Sequence, residues 1–305
     1  MIRGVDVQFK GIIIKGYSGF YYVWEENQNS QKVWECSLRG KFRLQTQTFL
    51  PGDHVVCTKI NTEKCTAVLE KVLPRSTELI RPQIANIEQV IIITSFAEPE
   101  PDLALLDRIL VQAALQKIKP ILCFNKSDLL GEAEQKELLA IYTPTNYPLI
   151  VSSVPENKGI SVLKNWLHNK ISVLAGPSGV GKTSILNALE THLSLPVGAV
   201  SRKSGRGRHT TRHVELLPLS GGGFLADTPG FSRLKLPANL TRESLSLFYP
   251  DFQPFQAFCQ FKTCLHREEP HCGVREAVQT GQLNQGRYER YLQILNEVIE
   301  AERSY

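Results

Sequence analysis

Gly176-Pro177-Ser178-Gly179-Val180-Gly181-Lys182-Thr183 decides how this chain is read. The string fits the phosphate-binding pattern G-x-x-x-x-G-K-[ST], and its flanks supply the context that pattern needs. Ile171-Ser172-Val173-Leu174 before it reads as a buried strand, and Ser184 to Leu189 after it as a helix. In that setting the glycines let successive backbone N–H groups curl around phosphate oxygens, aided by the positive end of the helix. Lys182 would reach the β- and γ-phosphates, and the Thr183 hydroxyl would hold Mg²⁺. The expected nucleotide contacts run through Gly176, Pro177, Ser178, Gly179, Val180, Gly181, Lys182, Thr183 and Ser184.

The choice of base lies upstream. Asn125-Lys126-Ser127-Asp128 follows the apolar run Ile121-Leu122-Cys123-Phe124, so it stands at the carboxyl end of a buried strand, where ligands sit in such sheets. This is the N-K-x-D pattern of guanine recognition. The Asp128 carboxylate only accepts, so it can take both guanine N1–H and the 2-amino group. Adenine offers neither donor there and would leave the carboxylate unsatisfied. Asn125, Ser127 and the stem of Lys126 would brace the loop and the base. Ser152 and Ser153, ending the strand Leu149-Ile150-Val151, are candidates for a second base-contacting loop. A four-letter string is weak alone; together with the phosphate loop it selects GTP over ATP.

Asp227-Thr228-Pro229-Gly230 follows the strand-like Gly223-Phe224-Leu225-Ala226. Asp227 would hold Mg²⁺ through water, and the Gly230 N–H would sense the γ-phosphate. Thr210 and Thr211, between the phosphate loop and Asp227, are alternative candidates for the switch threonine that closes on Mg²⁺. The motif order is unusual, since N-K-S-D precedes the phosphate loop by about fifty residues. A permuted chain can build the same sheet when domain termini lie close together at the surface. Permutation also runs the second switch directly into the C-terminal segment, so γ-phosphate sensing could reposition that segment.

Residues 1–75 read as about five short strands: Gly11 to Lys15, Phe20 to Trp24, Val33 to Leu38, His54 to Cys57 and Cys65 to Val72. That pattern predicts a small OB-like β-barrel, a fold that often binds RNA. Tyr17, Tyr21, Tyr22 and Trp24 could stack on bases, but in a small barrel such aromatics more often fill the core. Residues 76–236 alternate strand and helix, beginning with Gln89 to Thr94 and a helix over Asp102 to Lys117. They predict a doubly wound α/β domain. Residues 237–305 form a third segment ending in a helix marked by Tyr288, Tyr291, Leu292, Leu295, Val298 and Ile299.

Within that last segment Cys259, Cys264, His266 and Cys272 fall inside fourteen residues. Three thiolates and one imidazole suit tetrahedral Zn²⁺ in a structural site. His271 competes with His266 as the nitrogen ligand. The chain holds 305 residues with seven cysteines, an odd number that argues for thiols and metal ligands rather than a disulfide framework. Neither a signal peptide nor an apolar run long enough to span a bilayer is legible, so a cytoplasmic location without membrane attachment is expected. The net charge is +5, and Arg202, Lys203, Arg206, Arg208 and Arg212 lie in an acid-free stretch. That run suits an anionic partner, though a solvated surface loop would look the same.

Barrel, permuted nucleotide motifs and Cys-Cys-His-Cys cluster together resemble the RsgA family of ribosome small-subunit-dependent GTPases. Leu79-Ile80-Arg81-Pro82 and Gly205-Arg206-Gly207-Arg208-His209-Thr210-Thr211 add to the likeness. The resemblance implies three parts: an OB-like barrel, a circularly permuted GTPase domain and a small zinc-binding domain. It further implies late maturation of the small ribosomal subunit, contact with its ribosomal RNA, and GTP hydrolysis stimulated by that subunit, which helps the factor leave. A monomer is the default for a protein that docks on the ribosome. Ras-like enzymes orient the attacking water with a Gln after the D-x-x-G motif, but Phe231 stands there. His209 and His213 are conceivable substitutes. Two other readings compete: a P-loop ATPase or kinase, which Asp128 opposes, and a nucleic-acid-binding protein with vestigial nucleotide binding.

Overall fold

The computed structural model describes residues 7–26, 32–39, 48–80, 83–190, 214–226, 236 and 240–303. Five strands come first: β1 (Gln8–Tyr17), β2 (Phe20–Glu25), β3 (Val33–Leu38), β4 (His54–Asn61) and β5 (Thr66–Val72). They close into a barrel of order β1-β2-β3-β5-β4, with β3 and β5 parallel and β1 pairing antiparallel with both β2 and β4. Closure leaves no free sheet edge, which lets so short a segment bury a core. Phe9, Ile13, Val23, Trp34, Cys36, Val55, Cys57, Ala67 and Leu69 fill the interior.

The aromatics expected inside the barrel divide differently. Val23 points inward, so period-two alternation turns its neighbours Tyr22 and Trp24 outward. Tyr21 is half-buried against the core, Tyr17 is 63% exposed, and Trp24 meets Phe224 edge-on at 5.9 Å. Trp34 and Phe9 supply the ring volume instead. Trp34 Nε1 donates to the buried Glu25 carboxylate at 2.8 Å, and Lys59 Nζ reaches the same group at 2.8 Å.

A short hairpin, β6 (Glu78–Ile80) and β7 (Gln83–Ala85), follows. Arg75 and Asn86 tie this stretch to the turn before β4, through Asp53 and the Gly52 carbonyl. The remaining strands are β8 (Gln89–Ser95), β9 (Lys119–Asn125), β10 (Leu149–Val151), β11 (Ile171–Ala175), β12 (Leu216–Pro218) and β13 (Phe224–Ala226). Their sheet order is β10-β9-β8-β11-β13-β12. β9 and β10 pair parallel, as do β11 and β13, while β12 is antiparallel to β13. β8 and β9 are almost wholly buried, which explains their unbroken apolar runs.

The described helices are α1 (Leu103–Leu115), α2 (Glu132–Ala140), α3 (Ile160–Leu167), α4 (Lys182–Leu189), α5 (Gln253–Gln256), α6 (Gly273–Gln279) and α7 (Gln285–Arg303). Asp102 caps α1, accepting from the Leu105 N–H at 2.9 Å. Contacts group the chain into two compact units. One comprises residues 1–89, 166–174 and 202–229; the other comprises 90–165, 175–201 and 230–305.

In the second unit α1 and α7 meet through buried charge. Asp107 accepts from Arg287 Nη1 at 2.6 Å, Arg290 Nε at 2.6 Å and Tyr142 OH at 2.8 Å. Arg287 also holds Asp251 through two bonds, and its guanidinium lies over the Tyr249 ring. Around this network Leu240, Tyr249, Phe252, Val274, Tyr291, Leu295 and Val298 form one apolar cluster with Val111 of α1. Among the described residues no helix is long and apolar enough to cross a membrane.

Candidate functional site

The phosphate loop leaves β11 at Gly176 and enters α4 at Lys182. Two of its glycines are required by close approach. A Cβ at Gly176, where φ is 133°, would lie 2.0 Å from the Ile93 carbonyl oxygen. One at Gly181, where φ is 96°, would lie 2.4 Å from Asn125 Nδ2. No side chain fits at either point, so the backbone is held where a phosphate can approach its N–H groups. Lys182 Nζ lies over this loop, donating to the carbonyls of Gly176 at 2.9 Å and Pro177 at 2.5 Å. Burial pushes its ammonium below the ordinary lysine range. An anion in the loop would reverse that trend. Thr183 follows in the first turn of α4 and is buried.

Asn125 ties the two motifs together. Its Nδ2 donates to the Val180 carbonyl at 2.9 Å, inside the phosphate loop. Its Oδ1 accepts from Ser152 Oγ at 3.0 Å, and that hydroxyl also meets Cys123 Sγ at 3.2 Å. With both ends of the amide assigned, the Asn125 orientation is determined. Burial raises the Cys123 thiol to about 12, so it stays neutral beneath the site. Lys126 adopts a left-handed φ of 60°, and its Nζ donates to the Glu98 carbonyl. Asp128 is exposed, and its Oδ1 accepts from Ser153 Oγ at 2.6 Å. Ser152 and Ser153 are fully buried; their hydroxyls orient Asn125 and Asp128.

Two features of this region carry no sequence motif. Pro99 comes to 3.5 Å of a Cβ built on Gly179, and Ser95 Oγ donates to the Pro99 carbonyl at 2.6 Å. The 95–101 loop therefore borders both the phosphate loop and Lys126. Below the guanine motif, Gln135 Nε2 of α2 donates to the carbonyls of Ser127 and Leu130. α2 has almost no apolar rhythm, so a hydrophobic pattern could not reveal it.

The second constellation is the cysteine cluster. One ligand atom from each of Cys259, Cys264, His266 and Cys272 lies within 4.8 Å of the other three. Cys259 Sγ is 4.0 Å from Cys272 Sγ, and His266 Nδ1 is 3.6 and 3.4 Å from those two sulfurs. Tetrahedral bonds of ~2.3 Å to sulfur and ~2.0 Å to nitrogen require ligand separations of roughly 3.5–3.8 Å. The donor set and its spacing therefore fit one zinc ion. Without a cation, burial raises the Cys264 thiol to about 12 and also raises Cys272. A divalent ion would supply the charge that favours thiolates there. His271 is exposed and lies outside the cluster. Tyr288 OH and Tyr291 OH fasten the ligand loop to α7 by donating to the carbonyls of His266 and Leu265.

The RsgA GTPase profile matches residues 72–237, and the RsgA N-terminal domain profile matches residues 10–66. The chain is 46% identical to the small ribosomal subunit biogenesis GTPase RsgA of Moorella thermoacetica over 97% of this chain and 99% of that one. This chain belongs to the RsgA GTPase family.

Two solved RsgA-like structures agree with that membership across the whole fold. YjeQ from Thermotoga maritima superposes with a TM-score of 0.80 at 35% identity, covering 96% of this chain and 99% of that one. YloQ, described as a circularly permuted GTPase, superposes with a TM-score of 0.79 at 35% identity, covering 98% of each chain. The permuted order read from the motifs is thus a property shared with a solved relative. For an RsgA GTPase the nucleotide is GTP or GDP with Mg²⁺. Thr210, Thr211, Asp227, Gly230, Phe231, His209, His213 and the basic run 201–213 lie outside the described residues.

Proposed function

We propose that this chain hydrolyses GTP as a factor in small ribosomal subunit biogenesis, binding the subunit in its GTP state and leaving after hydrolysis. The observation that most supports the reading is the hydrogen bond from Asn125 Nδ2 to the Val180 carbonyl, which links the turn after β9 to the loop between β11 and α4. In this reading Asp128 selects guanine, with Asn125, Lys126, Ser127, Ser152 and Ser153 bracing the base loop. Gly176 to Ser184 hold the phosphates, Lys182 neutralises their charge, and Thr183 binds Mg²⁺. Asp227, Gly230 and one of Thr210 and Thr211 complete the switch. Family relatives carry the small-subunit name, and the partner surface proposed here is ribosomal RNA.

The assignment extends to three domains, 1–75, 76–236 and 237–305, with structural Zn²⁺ on Cys259, Cys264, His266 and Cys272. The factor would work as a monomer in the cytoplasm. The test is GTP turnover by purified protein, alone and with small ribosomal subunits, with ATP as the control. Slow GTP turnover that rises strongly with the subunit is the expected result. Equal rates with and without subunits would refute ribosome stimulation, and equal use of ATP would refute the base assignment.

A further inference from the structure

The side-chain hydrogen bonds described for Gln135 go to backbone carbonyls of the turn on which base selection depends. The side chain is buried under that turn, and Nε2 donates at 2.7 Å to the Ser127 carbonyl and at 2.7 Å to the Leu130 carbonyl. Both partners only accept, so the nitrogen must face the turn and the amide has one possible orientation. The two carbonyls bracket Asp128. They lie at the start and just beyond the end of a short 3₁₀ turn, Ser127–Leu129, entered through the left-handed Lys126 and closed by the Leu129 N–H on the Lys126 carbonyl at 3.1 Å.

A non-glycine residue in that conformation persists only where surrounding contacts over-determine it. Besides its own backbone bond, the turn is held from outside at several points. The Ser127 N–H donates to the Ser152 carbonyl at 3.1 Å, Ser153 Oγ fixes one Asp128 oxygen, and Lys126 Nζ is tied to the Glu98 carbonyl. Among the described residues, Gln135 alone spans the turn from its first residue to the residue after its last. Asp128 itself is exposed, so its place is set by the backbone beneath it more than by packing around it.

We propose that Gln135 is a positioning residue for guanine recognition: by clamping the Ser127 and Leu130 carbonyls it sets where the Asp128 carboxylate meets the base edge. The inference rests on the guanine-site reading above. Guanine presents two donors to that carboxylate, N1–H and the 2-amino group, whereas hypoxanthine presents N1–H alone. A carboxylate held in register gains from the second donor, and one on a slackened turn gains little. Gln135 therefore acts on the difference between the two bases.

The experiment measures dissociation constants of GDP, IDP and ADP for the full chain and for Gln135→Met and Gln135→Asn. Methionine keeps the length without a donor, and asparagine is too short to span both carbonyls. The expected result is a GDP-over-IDP preference that narrows about fivefold or more in Gln135→Met. Gln135→Asn should fall between that variant and the parent, and it carries the test alone if Gln135→Met does not fold. A purely structural role would weaken GDP and IDP by the same factor. A preference ratio unchanged in both variants, with a lowered Tm, overturns the proposal. A parent chain that binds ADP as tightly as GDP overturns the guanine reading itself, which is a separate failure.

Discussion

Replacing Asp107 with asparagine removes one negative charge from a cluster of four buried or nearly buried charged groups. Asp107 and Arg287 are 0% and 2% exposed, and Asp251 is 3% exposed. Two guanidinium groups and one phenol converge on the Asp107 carboxylate. After the substitution Arg287 retains Asp251, but Arg290 loses its ion-pair partner. Its Nη2 is already buried without a hydrogen-bond partner among the described residues. Breaking a buried ion pair from one side costs about 3–5 kcal/mol, because the remaining charge stays desolvated. Asparagine keeps one acceptor oxygen and nearly the same shape, so the lower end, about 3 kcal/mol, is the expected loss.

That loss is a large part of the ~5–15 kcal/mol typical of a folded domain. At about 2–4 °C per kcal/mol for a domain of this size, Tm should fall by about 6–12 °C. Differential scanning calorimetry of the full chain, at fixed zinc and nucleotide, reads it directly. The double variant Asp107→Asn with Arg290→Met should recover part of the loss, since it removes the stranded charge. A single variant within about 0.5 kcal/mol of the parent would refute the view that this network is a tight, desolvated lock.

Asp128→Asn should shift preference from GTP towards xanthosine triphosphate, because the amide can donate to the xanthine O2; unchanged preference in a competition assay would sink the base assignment. Stripping zinc, or Cys264→Ser, should increase hydrogen exchange over residues 259–272 and weaken subunit binding while leaving GDP binding intact. Finding no zinc in the purified protein by metal analysis would end that assignment. Burial opposes ionisation of Glu25, yet its bonds from Lys59 and Trp34 outweigh this and hold the carboxyl below the usual range. Its contribution is therefore present above the unfolded-state pKa and is lost as pH falls through the lower folded value. Barrel stability should decline below about pH 4.5, and Glu25→Gln should flatten the decline. An unaltered slope in acid unfolding of that variant would contradict the assignment.

What the sequence made legible follows from how locally each feature is encoded. The phosphate loop is readable as a string because Gly176 and Gly181 have no room for a Cβ against Ile93 and Asn125. The zinc candidates are readable because four ligands fall in one short span, although spacing alone does not exclude His271 in place of His266. Both histidines are left-handed, but His266 is buried with its ring edge-on to Phe252 and its Nδ1 beside two of the sulfurs, whereas His271 is exposed. The barrel aromatics were less legible, because composition suggested a core and only strand register shows that Val23 takes the inward position. Gln135 and α2 left no apolar signal. Asp107 and Arg287 are 180 positions apart, and nothing local marks them as partners.

The Asp107 network also bears on the mechanical consequence of permutation. Chain order delivers the segment after Gly230 straight into residues 240–303, which suggested that γ-phosphate sensing could move the C-terminal segment as a whole. In the structure α7 and the zinc ligand loop are already fastened to α1, by two guanidinium groups on Asp107 and by Tyr288 and Tyr291 on the loop's carbonyls. Moving that assembly away from α1 would strand Asp107, at a cost of the same order as the loss expected in Asp107→Asn. A γ-phosphate sensed through one or two charge-assisted hydrogen bonds, each worth about 1.5–3 kcal/mol, supplies a driving force of the same order as that cost. The expectation that γ-phosphate sensing could reposition the C-terminal segment therefore divides into two arrangements: α1, α7 and the zinc loop moving together, or the α1 contact breaking. If Asp107→Asn proves nearly neutral in calorimetry, the contact imposes no such cost and the segment is free to part from α1.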